Sequence, residues 1–63
     1  MRSNLQNARK AKGLTQQQVA DRLEISLRYY RMIEAGDRDG DFGIWDTLED
    51  IFNTHQRILR IKD

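Results

Sequence analysis

Residues 16–35, QQQVADRLEISLRYYRMIEA, decide the fold because their apolar side chains recur at three- and four-residue intervals. This is the period of an α-helix, and no part of the chain alternates polar and apolar residues as a strand would. Glu24 and Ile25 mark a turn, so the stretch predicts two helices that cross at a steep angle. Ala20 is small where the two helices approach closely, and larger residues fill the wedge between them: Leu23, Ile25, Tyr30 and Ile33.

Capping signals predict where these two helices begin and end. Thr15 and Gln18 have the spacing of a capping box, in which each side chain satisfies a free amide of the other residue. Ser26 is a suitable N-cap for the next helix, and Gly36 stops that helix after Ala35.

The rest of the chain is predicted to be helical as well. A first helix covers residues 4–12, and a fourth covers residues 42–52 between the Asp41 cap and Asn53. Thr54 is expected to cap a short fifth helix that bears Ile58, Leu59 and Ile61. Four side chains of the fourth helix are expected to be buried, with Phe42 packing where that helix begins: Trp45, Leu48, Ile51 and Phe52. The predicted fold is all-α, a compact five-helix bundle that forms one domain over residues 1–63.

The composition excludes several classes of protein. The chain has no cysteine, and its only histidine, His55, has no partner at a metal-ligand spacing, so His55 is interpreted as a surface or capping residue. The sequence lacks two features that would suggest an enzyme, a glycine loop that cradles a phosphate and an inward-facing pair of carboxylates. No apolar run approaches the roughly 20 residues that span a bilayer, and no signal-peptide pattern opens the chain. We therefore expect a cytoplasmic protein without catalytic activity, cofactor, metal or membrane contact.

The formal net charge of +1 conceals an uneven distribution. Residues 1–33 carry seven basic and two acidic groups, which gives +5, whereas residues 34–63 carry four basic and eight acidic groups, which gives −4. This asymmetry indicates that one side of the protein faces a polyanion. Two ordinary solvated helix surfaces would give the same count.

Residues 9–36, RKAKGLTQQQVADRLEISLRYYRMIEAG, resemble the phage repressor and Cro-type (Xre-like) helix-turn-helix family. The resemblance rests on several features in register: the Gly-Leu-Thr-Gln opening, the Val19–Ala20 pair, Leu23, Ser26 and the Ile-Glu-x-Gly ending. It implies a lambda-repressor-like fold and a small transcriptional regulator, of the repressor kind, that binds double-stranded DNA sequence-specifically. The recognition helix, residues 26–35, would enter the major groove.

The resemblance also implies roles for individual side chains. Leu27, Arg28 and Arg31 would face base edges, with Met32 one turn deeper. An arginine fork matches guanine O6 and N7, and Leu27 could contact a thymine methyl group. Four residues are the candidates for phosphate contacts: Gln16, Ser26, Tyr29 and Arg38. Arg9 is expected to pair with Glu34 and brace the first helix.

Some of these side chains have a second interpretation. Arg28 and Arg31 could be ordinary surface arginines, or could pair with Glu24 or Asp39. Tyr29 could cover the edge of the core instead of reaching a phosphate. Two lysines, Lys10 and Lys12, could solvate a helix end or bind a phosphate.

Two departures from the family pattern affect the expected binding. Glu24 stands where the family prefers glycine, because the backbone there turns to positive φ. The loop after the third helix is acidic, with Asp37, Asp39 and Asp41, where family members tend to be basic. We expect these carboxylates to repel phosphates, so that only Arg38 helps there and the affinity of one monomer is modest.

A single domain covers only half of a palindromic operator, so a two-fold homodimer is expected on DNA. Ile58, Leu59 and Ile61 are the candidate interface, and packing of Ile58 on its own domain is the alternative.

A second functional hypothesis is a protein-interaction module, antitoxin-like or anti-repressor-like, that binds a basic protein through the acidic face of the fourth helix.

Overall fold

The computed structural model describes residues 1–63. They contain five helices: α1 (Ser3–Ala11), α2 (Gln16–Leu23), α3 (Leu27–Ala35), α4 (Phe42–Phe52) and α5 (Gln56–Leu59). This confirms the all-α, five-helix prediction, and the first four helices begin and end within one residue of the predicted positions. The longest helix has eleven residues, and none has the length and apolar character that a membrane crossing requires.

The core is assembled where the apolar stripes of the helices meet. α2 packs against α3 and α4, α1 packs against α3 and α5, and α4 packs against α5. Ten apolar side chains are buried there: Leu5, Val19, Ala20, Tyr30, Ile33, Ile44, Trp45, Leu48, Phe52 and Leu59. Because every helix contributes to this one cluster, the relative positions of α2 and α3 depend on the whole chain.

The connection between α2 and α3 follows the sequence-based prediction closely. Gln18 N donates to the Thr15 hydroxyl at 3.1 Å, and Thr15 N donates to Gln18 Oε1 at 2.8 Å, which completes the capping box. Glu24 ends α2 with φ of 57°, in the left-handed region. Ser26 then accepts from Tyr29 N at 3.0 Å and caps α3. Strong local signals on both sides of the turn therefore fix its geometry.

Phe42 does not pack at the entry of α4, and this prediction is wrong. The side chain is 78% exposed, although Trp45 is only 1% exposed. Asp41 caps the helix through Ile44 N at 2.9 Å, so Phe42 is the first helical residue. With 3.6 residues per turn, that position lies off the stripe that buries Ile44 and Leu48.

The fifth helix differs in its cap and in its length. His55 Nδ1 accepts from Arg57 N at 3.2 Å, so His55 is the capping residue, as one interpretation of it proposed. Thr54, the predicted cap, instead donates its hydroxyl to Phe52 O at 3.0 Å. α5 ends at Leu59, so Ile61 lies beyond it. A helix of four residues has too little periodicity to define its own limits.

Arg2, which enters the sequence analysis only as one charge among seven, is a buried structural residue. It is 2% exposed, and its guanidinium lies 5.0 Å from the centroid of the Trp45 ring. The side chain donates to three backbone carbonyls, those of Ile33, Arg38 and Arg60. Its Nη2 also lies 3.4 Å from Asp39 Oδ1. Burial lowers the pKa of Arg2, although the Asp39 carboxylate opposes this change.

Candidate nucleic-acid interface

The two faces of α3 differ sharply in burial. Tyr30, Ile33 and Glu34 point into the protein and are buried. Arg28 and Arg31 are exposed on the other side of the helix, where no second helix covers them. Leu27 and Met32 are half-buried at the margins of that face. The structure thus brings the four predicted base-facing residues to one surface.

Ala35 belongs to the same surface, and the sequence analysis missed it. It is exposed, and it lies seven residues after Arg28, which corresponds to two helical turns. The helical period alone could have identified it. Its small side chain leaves the end of α3 free of bulk on the side that bears the arginines.

The four predicted phosphate-facing residues occupy different environments. Ser26 is exposed, and its oxygen is already used to cap α3. Tyr29 is half-buried and packs against the core, which fits the alternative interpretation without withdrawing its hydroxyl from a phosphate role. Arg38 is exposed, with only a 3.4 Å contact from Nη1 to Asp37 O. Gln16 is half-buried at the first position of α2.

Arg9 and Glu34 form the ion pair that the family resemblance implied. Arg9 Nε lies 3.0 Å from Glu34 Oε2, and Arg9 Nη2 lies 3.0 Å from Glu34 Oε1. Both side chains are almost entirely inaccessible, with 10% and 3% exposure. A two-pronged contact of this kind joins α1 to the last turn of α3 with a defined orientation. Arg9 is therefore unavailable for contact with DNA.

This ion pair shifts the protonation equilibria of the groups around it. The hydrogen bonds to Glu34 raise the pKa of Arg9 above its ordinary value. Burial opposes ionisation of Glu34, but the hydrogen bonds and positive charge of Arg9, together with the bond from Gln16, outweigh it and lower the carboxyl pKa. Burial raises the pKa of the Tyr30 phenol, which lies in the core as predicted. All three groups keep their usual charge states at neutral pH.

The acidic loop after α3 is less free to repel phosphates than its sequence indicates. Asp39 Oδ1 accepts from Lys62 Nζ at 3.0 Å and also contacts Arg2, and the bond from Lys62 lowers the Asp39 pKa. Asp41 is the cap of α4. Of the three loop carboxylates, only that of Asp37 contacts no other group in the protein.

The acidic residues of α4 hold α5 in place. Asp46 Oδ1 accepts from Gln56 Nε2 at 2.9 Å, and Glu49 Oε2 accepts from Gln56 N at 2.8 Å. Glu49 Oε2 also lies 3.8 Å from His55 Nδ1. Only Asp50 on this helix has a carboxylate without an intramolecular partner. The acidic character of this half of the chain therefore has a structural explanation.

The predicted dimer interface needs a correction at Leu59, which is 1% exposed and belongs to the core. Ile58 and Ile61 are 43% and 51% exposed. α5 packs on its own domain, against α1 and α4, and the Ile58 side chain is only partly exposed there, so the dimer contact stays a prediction. The apolar surface available to a partner at this end of the molecule includes Ile58 and Ile61.

A capped α2, a left-handed turn at Glu24 and an α3 with one uncovered face define a helix-turn-helix unit. The sequence model of the helix-turn-helix family matches residues 5–55, so the chain belongs to that family, which confirms the resemblance. Comparison with curated proteins and with solved structures found no match. Membership of the family makes DNA binding the expected activity of this surface.

Proposed function

We propose that this protein is a small transcriptional regulator, acting as a repressor, that binds double-stranded DNA sequence-specifically with α3 in the major groove. One observation carries the proposal: Arg28 and Arg31 are exposed on α3, opposite its buried Tyr30 and Ile33. A groove about 12 Å wide accepts one helix, provided that the preceding helix stays clear of it. The packing of α2 and α4 against the core leaves this face of α3 uncovered.

The residues of this surface divide into two groups by position. Leu27, Arg28, Arg31 and Met32 lie on α3 and face the bases in our proposal. Gln16 and Ser26 lie at the starts of α2 and α3, Tyr29 lies in the first turn of α3, and Arg38 lies in the loop after it. These four side chains face the sugar–phosphate backbone in our proposal. Backbone contacts fix the orientation of such a domain, and base contacts select the sequence.

We further propose that two copies bind a palindromic operator as a two-fold dimer, with half-sites about one DNA turn apart. Ile58 and Ile61 supply the exposed apolar surface for such a contact.

The competing hypothesis, a protein-interaction module that uses the acidic face of α4, has weaker support. Asp46 and Glu49 are occupied by α5, so this face offers few free carboxylates to a basic partner.

Selection from a random duplex pool at two salt concentrations tests the proposed function. We expect enrichment of an inverted repeat, with a log–log salt slope of about −4 to −5 for four to six phosphate contacts per dimer. Reversal of both charges, Arg28→Glu with Arg31→Glu, should abolish retention. Arg57→Glu, on the exposed surface of α5, is the matched control and should retain the same sequences. The proposal is wrong if the wild-type protein enriches no sequence, or if the doubly reversed variant enriches the same one.

A further inference from the structure

The two exposed arginines of α3 differ in their contacts within the protein. Arg31 Nε donates to Gln16 Oε1 at 3.3 Å. Gln16 Nε2 in turn donates to Glu34 Oε1 at 3.2 Å, and Glu34 is held by Arg9. The Arg28 side chain has no partner in the protein. Arg31 therefore extends across to the first residue of α2, whereas the Arg28 guanidinium has no such constraint.

We propose that Arg31 contacts a DNA phosphate together with Gln16, and that Arg28 is the arginine that distinguishes bases. This assignment rests on the proposed function and refines it, because it moves one of the two arginines from the base-reading group to the backbone group.

The orientation of the Gln16 amide is the first argument. One of its two N–H groups is committed to Glu34, and its oxygen accepts from Arg31. A glutamine oxygen facing a phosphate alone would place two acceptors side by side, which is unfavourable. Arg31 removes this conflict because it donates to the Gln16 oxygen and retains further N–H groups. Its Nη1 and Nη2 carry four donors that suit phosphate oxygens.

The chain of contacts behind Gln16 is the second argument. Arg9 and Gln16 both donate hydrogen bonds to Glu34, and the Arg9–Glu34 pair is buried. Gln16 is thus supported from the core, and Arg31 rests on a fixed group. A side chain held in this way loses less conformational entropy when it binds. Folding therefore already accounts for part of the conformational entropy that Arg31 would otherwise lose on binding a phosphate.

Arg28 is better placed to select bases. It is the second residue of α3, and the N-terminal part of a recognition helix is the part that reaches base edges. Because its guanidinium has no partner in the protein, the whole fork is available for guanine O6 and N7. Arg31 lies nearly one turn further along the helix and is directed towards α2.

Binding of variants to the selected operator, and to its single-base-pair variants, separates the two roles. Fluorescence anisotropy between 50 and 200 mM salt gives both affinity and salt slope. Arg31→Met should weaken binding to every duplex by a similar factor and make the slope shallower by about 0.9 per half-site. Arg28→Met should instead lose discrimination at one base pair, by roughly five- to 150-fold. Arg57→Met, the matched control on α5, should change neither quantity.

The joint action of Arg31 and Gln16 has its own test. In a Gln16→Ala background, Arg31→Met should reduce affinity by a smaller factor than it does in the wild-type protein. The proposal is overturned if Arg31→Met removes discrimination at a base pair, or if its cost is the same in both backgrounds. These outcomes leave the proposed function intact, whereas wild-type protein that selects no duplex would refute the proposed function itself.

Discussion

Replacement of Arg2 by methionine should destabilise the whole domain, although this residue lies next to the start of the chain. Methionine retains an unbranched apolar stem, but it is shorter than arginine and has no N–H group. The carbonyls of Arg38 and Arg60 would be left without a donor. The Ile33 carbonyl would keep only its bond from Gly36 N, and Asp39 would keep only its bond from Lys62. The stacking of the guanidinium over Trp45 would also be lost.

The expected loss is comparable with the total stability of the domain. Leaving a buried acceptor without a partner costs about 1–3 kcal/mol, so the two carbonyls left without a donor together account for roughly 2–6 kcal/mol. Domains are stable by about 0.05–0.15 kcal/mol per residue, which for this chain amounts to roughly 3–9 kcal/mol. Water can reach part of this region after the substitution, so the lower end of the range applies. Even about 2 kcal/mol would remove a large part of the stability.

Urea unfolding provides the measurement, with far-ultraviolet circular dichroism to follow the helices. The single tryptophan, Trp45, gives a second signal from the position that Arg2 contacts. Arg28→Met is a matched control because it makes the same chemical change on an exposed arginine that has no hydrogen bond or ion pair within the protein. We expect the control to unfold at the wild-type urea concentration, and Arg2→Met to unfold at a much lower one or to be unfolded in water.

The reasoning would be refuted if Arg2→Met and Arg28→Met had the same unfolding midpoint. Such a result would mean that the carbonyls of Arg38 and Arg60 find other donors at no cost. Arg2→Lys distinguishes charge from geometry, since an ammonium group cannot reach three carbonyls and an aromatic ring at once. Its stability should lie between those of the wild-type protein and Arg2→Met.

Two further predictions concern stability. Glu24→Gly should raise the free energy of unfolding by about 0.5–1 kcal/mol, because Glu24 has φ of 57° and glycine adopts that conformation without steric cost. Urea unfolding measures this gain, and Glu24→Ala, the control, should not show it. A Glu24→Gly variant that is less stable than the wild-type protein would contradict the argument. Because the folded state lowers the pKa of Glu34, its ionised form stabilises the protein at neutral pH, and this contribution is lost as pH falls below the ordinary value of 4.5 towards the folded-state pKa. Glu34→Gln should therefore be less stable at pH 7 and lose less stability than the wild type between pH 7 and pH 3, whereas equal losses on acidification would show that another group is responsible.

Local signals explain how much of the fold could be predicted from the sequence. The Thr15–Gln18 capping box, the Ser26 cap and the left-handed turn at Glu24 depend on residues within four positions of one another. Each could therefore be identified without knowledge of the tertiary structure. α5 was misplaced at its start because Thr54 and His55 are adjacent and both are able to cap, and only the packing against Glu49 distinguishes them.

The parts that were missed depend on contacts between distant residues. Arg2 binds groups 31, 36 and 58 positions away, and no local pattern marks an arginine for burial. The sequence also placed Arg28 and Arg31 on one helical face correctly, but it could not show that Arg31 contacts Gln16, fifteen positions earlier. A role that depends on one side chain resting on another requires the coordinates.

The bond from Arg2 to the carbonyl of Arg60 has a consequence for synthesis of the protein in the cell. It joins positions 58 residues apart, and a ribosome adds about 5–20 residues per second. The carbonyl of Arg60 is therefore synthesised roughly 3–12 s after Arg2 has been added to the chain. During that interval α3 can form locally, but the Arg2 side chain that bonds to its C-terminal end lacks its contact with Arg60. A nascent chain stalled before position 60 should consequently be sensitive to protease at residues that the finished domain protects.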